Sequence, residues 1–513
     1  MIKYTPQNQL QLALFKHPFE QQLDPNNRWV MLASLIPWDS LASVYCRKLD
    51  PDSGRLSVDI RYVIAALIVK HKLRLDDRGT IDMIKENIYL QYFCGLKSFT
   101  TKALFDPSLF VDIRKRLGGK EFDEFNQLVI EKSERLKSHQ ARIKRTDKGK
   151  NQTKNNPPQG NDTATKNKGI LKVDATVADQ EITYPNDLKL LNTSRENLER
   201  IVDILTRKLP GTDKPRLYRR VARKSYLNVA KKKRKTPKEI RRGIKQQLQY
   251  VSRDLKVVDH LLSKFKSNNQ ILDKMDIKLV AVIKQVFDQQ KQMYEMKKHT
   301  CEHRIVNLFQ PHVRPMVRGK DKNKTEFGSK INISEVNGFC RINRLSWESY
   351  NESGDLKMQV EKFKQLYGCY PKTLLGDKIY LTRENRRYLK DNEIEIVGSP
   401  LGRPPKIQAE SAAQKYRKKK KAAKRNHVEG KFGQAKRGYG LNNIKARLSD
   451  TSESWVNTIF FVMNLTKLLE IVQNGKGIFV SIYKSIKLRI KRPNFLHIFN
   501  YQFTKSKTII MVG

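Results

Sequence analysis

The sequence predicts a mixed α/β fold, a five-stranded sheet flanked by helices, with an all-α unit in front of it. Three observations lead there. Apolar residues recur at helical spacing through residues 1–136. From about residue 304, short β-like runs alternate with amphipathic helices. Between the first β-like run, Ile170–Val177, and the next lies a long helical, basic stretch that reads as an insertion.

In the first unit, Tyr62, Ile64, Leu67 and Ile68, then Ile81, Ile84 and Ile88, carry the helical spacing. Leu75-Asp76-Asp77-Arg78-Gly79-Thr80 separates them as a turn, with Thr80 as the expected N-cap. The pair fits a helix-turn-helix or an ordinary bundle. Residues 138–169 hold Pro157-Pro158 and almost no large apolar side chain, and read as a disordered linker. After Ile170–Val177 the helical insertion runs over about 190–300. Residues 325–345 form a hairpin, with Ile331, Ile333 and Val336 on one side of an Asn337-Gly338 turn and Phe339 and Ile342 on the other. Leu356, Val360, Phe363 and Tyr367 mark an amphipathic helix that Gly368 and Pro371 end. A strand at Thr373–Leu375 runs into Gly376-Asp377, a helix starts near Thr382, and a strand follows at Ile394–Val397. Pro400, Pro404 and Pro405 form a loop before a basic helical stretch over about 411–437. A last amphipathic helix presents Trp455, Ile459, Val462, Leu465 and Leu469. The expected division is a helical unit at 1–137, a linker at 138–169, the sheet unit at 170–473 and a basic tail at 474–513.

Of 513 residues, 102 are Lys or Arg and 52 Asp or Glu, a net charge of +50. Residues 1–136 hold 20 basic and 17 acidic side chains; the remaining +47 lies beyond them. Such a field attracts polyanions, and nucleic acid is the expected partner. The longest apolar run, near Val63–Val69, is too short to span a bilayer, so no membrane association is expected. Cys46, Cys94, Cys301, Cys340 and Cys369 form no CxxC pair and read as thiols in a reducing compartment. No GxxxxGK[ST] loop is present.

Three carboxylates stand at informative places. Asp174 lies in an apolar strand, Asp377 at a strand exit, and Glu429 on the helix after the last strand. A carboxylate in an apolar strand is costly unless paired or metal-bound. Three oxygen donors from separate elements suit a pair of Mg²⁺ ions, which can clamp an in-line phosphoryl displacement. Arg425, Glu429 and Lys436 share a helix face, and Gly430, Gly433 and Gly438 allow close backbone approach to a ligand. Asp179, Glu181, Asp187, Glu335, Glu348 and Glu384 stand nearby, and spacing does not choose among them. His303, His312 and His427 form no ligand cluster and read as structural. Trp347 reads as core or as a platform for an unpaired base.

Four stretches make the chain resemble an insertion-sequence transposase of the DDE class: Val173-Asp174-Ala175-Thr176 with Tyr184-Pro185-Asn186-Asp187-Leu188; Leu308–Pro315 with Arg318-Gly319-Lys320; Gly376-Asp377-Lys378-Ile379-Tyr380 with Thr382–Asn385; and Arg425–Gly433. The resemblance implies a ribonuclease H-like catalytic domain in which Asp174, Asp377 and Glu429 hold two Mg²⁺ ions, with Mn²⁺ able to substitute. It implies cleavage and strand transfer at element ends, double-stranded DNA with terminal inverted repeats and a target DNA as partners, a homodimer in the working complex, and a cytoplasmic, nucleoid-associated location. A metal-dependent nuclease without strand transfer, or a decayed DNA-binding relative, would share these residues. In the family's Tyr-x2-Arg-x3-Glu-x6-Lys pattern, Arg425, Glu429 and Lys436 match and Ala422 replaces the tyrosine. Arg314, Arg318, Lys320, Arg425, Lys431 and Lys436 are the expected phosphate contacts.

Overall fold

The computed structural model describes residues 3–4, 6, 22–52, 56–148, 167–209, 211–265, 271–317, 325–397, 416, 420, 423 and 426–489. Side chains are described throughout except at 139–148, 426 and 475–489. The loop expected at Pro400–Pro405 lies outside these residues, as does most of the basic stretch expected at 411–425.

Seven helices lead the chain: α1 (Arg28–Leu35), α2 (Trp38–Cys46), α3 (Ile60–Leu73), α4 (Asp77–Glu86), α5 (Ile88–Cys94), α6 (Leu109–Arg116) and α7 (Gly119–Lys148). Two sequence expectations change here. Asp76, not Thr80, caps α4, accepting a bond from the Gly79 backbone N–H at 2.7 Å. An aspartate one turn earlier offers a charged acceptor at the positive helix end, where a threonine offers a neutral one. Gly79 therefore lies inside a helix, and the turn is left to Arg74 in the left-handed region, φ 58°. α7 continues to Lys148, into residues expected to be linker.

The sheet holds six strands, one more than expected. They are β1 (Ile170–Asp179), β2 (Arg314–Val317), β3 (Thr325–Val336), β4 (Phe339–Ser346), β5 (Thr373–Leu375) and β6 (Glu395–Val397). The unforeseen member is β2, four residues containing Pro315 and lying at the edge of the sheet. The order β2-β3-β1-β5-β6, with β4 also on β3, is mixed: β3 runs antiparallel to β1, β2 and β4, while β1, β5 and β6 are parallel. With helices on its faces, this is a ribonuclease H-like arrangement.

The insertion after β1 is four helices: α8 (Asp187–Arg207), α9 (Arg219–Ala230), α10 (Pro237–Ser263) and α11 (Lys274–Met296). They close on their own apolar core, which includes Leu198, Val251, Val258 and Ile283. α12 (Leu356–Tyr367) covers one face of the sheet through Leu356, Val360 and Phe363, against Leu171 and Val173. α13 (Arg383–Asp391) precedes β6. Two unlabelled helices finish the described chain, the Glu429 helix (Asn426–Gly438) and a core helix (Ser449–Arg489).

That core helix departs from the amphipathic expectation. Phe460, Phe461 and Met463 are as buried as Ile459 and Val462, so over residues 456–465 it is buried nearly all round. It packs against α1, α3, α6 and α7 on one side and β4 on the other. The leading helices and the sheet consequently share one core. Ser449–Asn474 is long and apolar enough to cross a membrane, yet 72% of its most apolar window is buried within the protein.

Asn464 sits at the join. Its Oδ1 accepts from the Cys340 N–H at 2.9 Å, and its Nδ2 donates to the Cys340 carbonyl at 2.7 Å and to Asn126 Oδ1 at 2.8 Å. One buried amide thus ties the core helix to β4 and α7. Asn464→Leu leaves the Cys340 N–H and C=O without these partners. It should cost about 2–4 kcal/mol, since each orphaned buried group costs about 1–3 kcal/mol, and denaturant unfolding measures the loss.

Candidate active site

β1 and β5 are parallel neighbours paired as Ile170↔Thr373, Leu171↔Leu374 and Lys172↔Leu375. Two residues beyond the last pair stand Asp174, still within β1, and Asp377, just past the end of β5. Strands in a sheet lie about 4.8 Å apart, close enough for two carboxylates to act together.

The faces of β1 are sorted by its pleat. Leu171 and Val173 point into the core beneath α12, while Ala178, of the same parity as Asp174, points to the other side. Ile333, directly opposite Asp174 on β3, belongs to that second side as well. The Glu429 helix packs there, burying Val428, Phe432 and Ala435. Glu429, next to Val428, is exposed. Asp174 thus faces the side of the sheet against which the Glu429 helix packs.

Each acid is locally oriented. Asp174 Oδ1 accepts from the Ala175 N–H at 2.8 Å, and Asp377 Oδ1 from the Lys378 N–H at 2.7 Å. Asp377 thereby caps a short 3-10 turn, Lys378–Tyr380. Tyr380 is buried and its hydroxyl donates to Asn332 Oδ1 at 2.8 Å. Asn332 in turn donates to Asp355 at 2.8 Å and accepts from Gln359 at 2.8 Å. This network lies under the sheet beside Ala175, Asn332's partner across the ladder, and locks the turn that carries Asp377. Sequence reasoning passed over Asn332; its signal was a lone amide between Ile331 and Ile333.

The other nearby acids are mostly committed to cations. Glu335 pairs with Lys172, Glu384 with Lys357, Asp187 with Arg304 at 2.7 Å, and Glu348 with Arg314 at 2.9 Å and His303 at 3.0 Å. Asp179 lies 3.6 Å from Lys436, which also reaches Glu326 at 3.2 Å. Lys436 thus fastens the Glu429 helix to β1 and β3. From the far end of that helix, the Arg437 carbonyl receives Arg74 at 2.9 Å. Arg314 is largely buried and bound to Glu348 and the Val313 carbonyl side of its own turn. Lys431 Nζ lies 3.4 Å from Gln434. Arg318, Lys320 and Arg425 lie outside the described residues.

His312 packs edge-on against Trp347, ring centroids 4.4 Å apart, and Trp347 Nε1 donates to Glu453 at 2.8 Å. These contacts tie both rings into the fold, and Trp347 is half-buried. His427 is exposed.

Residues 374–466 match the family model of a transposase DDE domain, and residues 17–116 that of a transposase domain. Both matches are to transposase families, and they support a transposase of the DDE class. The first match includes Asp377 and Glu429; Asp174 lies ahead of it. The chain is also 24% identical over 216 residues to the uncharacterized protein ORF8 in the nfe locus of Rhizobium meliloti, covering 42% of this chain and 90% of that one. No solved structure matches it.

A DDE domain implies dependence on a divalent metal. Hard carboxylate oxygens from two strands and a helix fit such an ion in kind. Among the described residues, no three His, Cys, Asp or Glu side chains are grouped closely enough to hold a metal.

Two outcomes follow from this geometry. Tyr380→Phe removes one bond to buried Asn332 and should lower unfolding stability by about 1 kcal/mol, read by denaturant titration. Burial, reinforced by Arg314, holds the His312 imidazole down to about 4 from its usual 6.5. Between those values the unfolded chain binds a proton that the folded chain refuses. Stability contributed by neutral His312 is complete above pH 6.5 and is lost as pH falls towards 4. Unfolding midpoints measured from pH 7.5 to 5 should decline, and His312→Gln should flatten the decline.

Proposed function

We propose that the transposase cuts and joins DNA at the ends of an insertion sequence, with Asp174, Asp377 and Glu429 as its metal-holding triad. The observation that carries this reading is that Asp174 on β1 and Asp377 just past β5 each follow the last pair of these parallel neighbours by two residues. Glu429 supports it from the helix on the same side of the sheet. That helix is fastened to β1 at Lys436 and Asp179.

Two Mg²⁺ ions bound by the triad, or Mn²⁺ in their place, would supply the Lewis acidity that activates an attacking oxygen and stabilises a leaving one. The carboxylates orient and neutralise; they form no covalent intermediate. In the first step a water oxygen bonds to phosphorus at the element end, the bridging oxygen leaves as a 3′-hydroxyl, and the water's second proton passes to solvent. In the second, that 3′-hydroxyl attacks a target phosphodiester and displaces another 3′-oxygen. One phosphodiester replaces another, so no ATP is consumed. Held charge and position supply the acceleration.

The partners are duplex DNA with terminal inverted repeats and a target duplex, in a working homodimer that holds two ends, at the cytoplasmic nucleoid. Lys431, two residues past Glu429 on the same helix, is one proposed phosphate contact. Arg318, Lys320 and Arg425 join it as proposed contacts from the sequence pattern. Arg314 and Lys436 serve here mainly by fixing β2 and the Glu429 helix, through Glu348, Glu326 and Asp179.

Purified protein incubated with DNA bearing the flanking repeats and Mg²⁺ or Mn²⁺ should yield end-cleaved and joined products. Cleavage without joining would reduce the function to that of a nuclease. Asp174→Asn, Asp377→Asn and Glu429→Gln should each lower cleavage by at least roughly 10²–10³-fold while DNA binding persists. A fully active Glu429→Gln protein would overturn the triad.

A further inference from the structure

The helical insertion carries a second charged surface. From Lys214 to Lys245 the sequence holds 15 Lys and Arg and a single acid, Glu239. That acid is spent locally: its side chain closes a capping box with Thr236 and pairs with Lys232. Pro237 follows the cap, so the turn between α9 and α10 is rigidly made.

The two helices form an antiparallel hairpin. Ser225 Oγ donates to Gln246 at 2.7 Å, and Gln247 donates to the Ala222 carbonyl at 3.3 Å. Gly243 lets them close: a Cβ there would meet Val229 at 3.3 Å and Leu188 of α8 at 3.2 Å. Some cations serve this fold. Arg219 holds Asp203 at 2.7 Å, and Arg241 lies 4.1 Å over the Tyr294 ring.

The rest form two stripes. Arg220, Lys224 and Lys231 recur at four and seven residues on α9 and its exit, opposite buried Ala222. Lys238, Arg242 and Lys245 recur likewise on α10, opposite buried Gly243, Gln247 and Val251. All six are exposed, and none makes an ion pair among the described residues. Like charges at this spacing destabilise a helix, so the fold gains nothing from them.

We propose that this hairpin is a duplex-DNA backbone clamp, independent of base sequence and separate from the carboxylate site. It rests on the reading that DNA is the substrate. The α10 stripe spans about 10.5 Å, over which duplex DNA presents roughly six phosphate charges. Neither stripe contains an aromatic side chain to stack on unpaired bases, which favours duplex over single strand.

The test is binding of the full chain to a random-sequence duplex in EDTA, followed by fluorescence anisotropy across a salt series. Three lost phosphate contacts should reduce the slope of log K against log salt by about 2.7. That fall is expected for the Lys238→Gln/Arg242→Gln/Lys245→Gln variant. Lys274→Gln/Lys278→Gln/Lys291→Gln changes net charge equally on exposed positions of α11 and should leave the slope within about one unit of wild type. Arg220→Gln/Lys224→Gln supplies an independent test on α9, and a thermal melt checks that each variant folds. Equal falls in hairpin and control variants, or no fall in either hairpin variant, would overturn the clamp. Hairpin-dependent binding of RNA or single strands in preference to duplex would also overturn it. A wild type that binds in this pattern yet never cleaves with metal would sink the transposition reading and leave the clamp standing.

Discussion

Much of this molecule depends on one buried helix being wanted from two sides. Over residues 456–465 the core helix is buried nearly all round, and no single layer of the protein could cover it. The leading helices take one side and β4 takes the other. Because apolar contact is non-directional, it would hold these parts together without setting their register. Asn464 supplies the missing direction, since its amide fits only one placement of Cys340 and Asn126. The sheet that carries Asp174 is thereby referenced to helices whose own sequence contains no candidate catalytic residue. Lys72 and Arg74, at the end of α3, extend the same logic to Thr466 and to the end of the Glu429 helix.

The framework was largely legible because its signals are short in range. The alternation at Ile170–Val177, the Asn337-Gly338 turn and the four-three-four spacing of Leu356–Tyr367 each report a local preference that the tertiary structure had no reason to override. Where a local signal had a close competitor, it misled: Asp76 outbid Thr80 for the same helix start. β2 went unseen because four residues around a proline carry no period to read. The all-round burial of the core helix could not be seen in its own spacing, since it reflects what stands on both sides. At the candidate site, the proposed triad came from family pattern, and the pairing of β1 with β5 was not readable from the spacing of Asp174 and Asp377. Asn332 and Asp355 belong to a network whose members lie more than twenty residues apart, a distance at which spacing carries no information.

The charge distribution has a division of labour. Acids close to the sheet are mostly matched to specific cations, as with Glu335 and Lys172 or Asp187 and Arg304. Those pairs neutralise the interior of the fold and leave the excess positive charge outside it. Buried Lys70 and Arg114 show the same economy, sharing Asp77 while lying over the Trp455 ring of the core helix. The insertion differs in kind, because its surplus cations face water and support no contact within the chain.

The position of the core helix in the chain also bears on how the protein comes into being. The first helices emerge from the ribosome long before the segment that fills their core, and β1 appears some two hundred residues ahead of its parallel neighbour β5. Loop closure over such separations is slow, and the contacts that reward it arrive last. A nascent chain therefore exposes an incomplete core until the core helix has been made, and Asp174 and Asp377 cannot be brought near each other before β5 joins β1. This order of assembly is a built-in delay: a chain that stops before the core helix cannot complete the fold that carries the candidate acids.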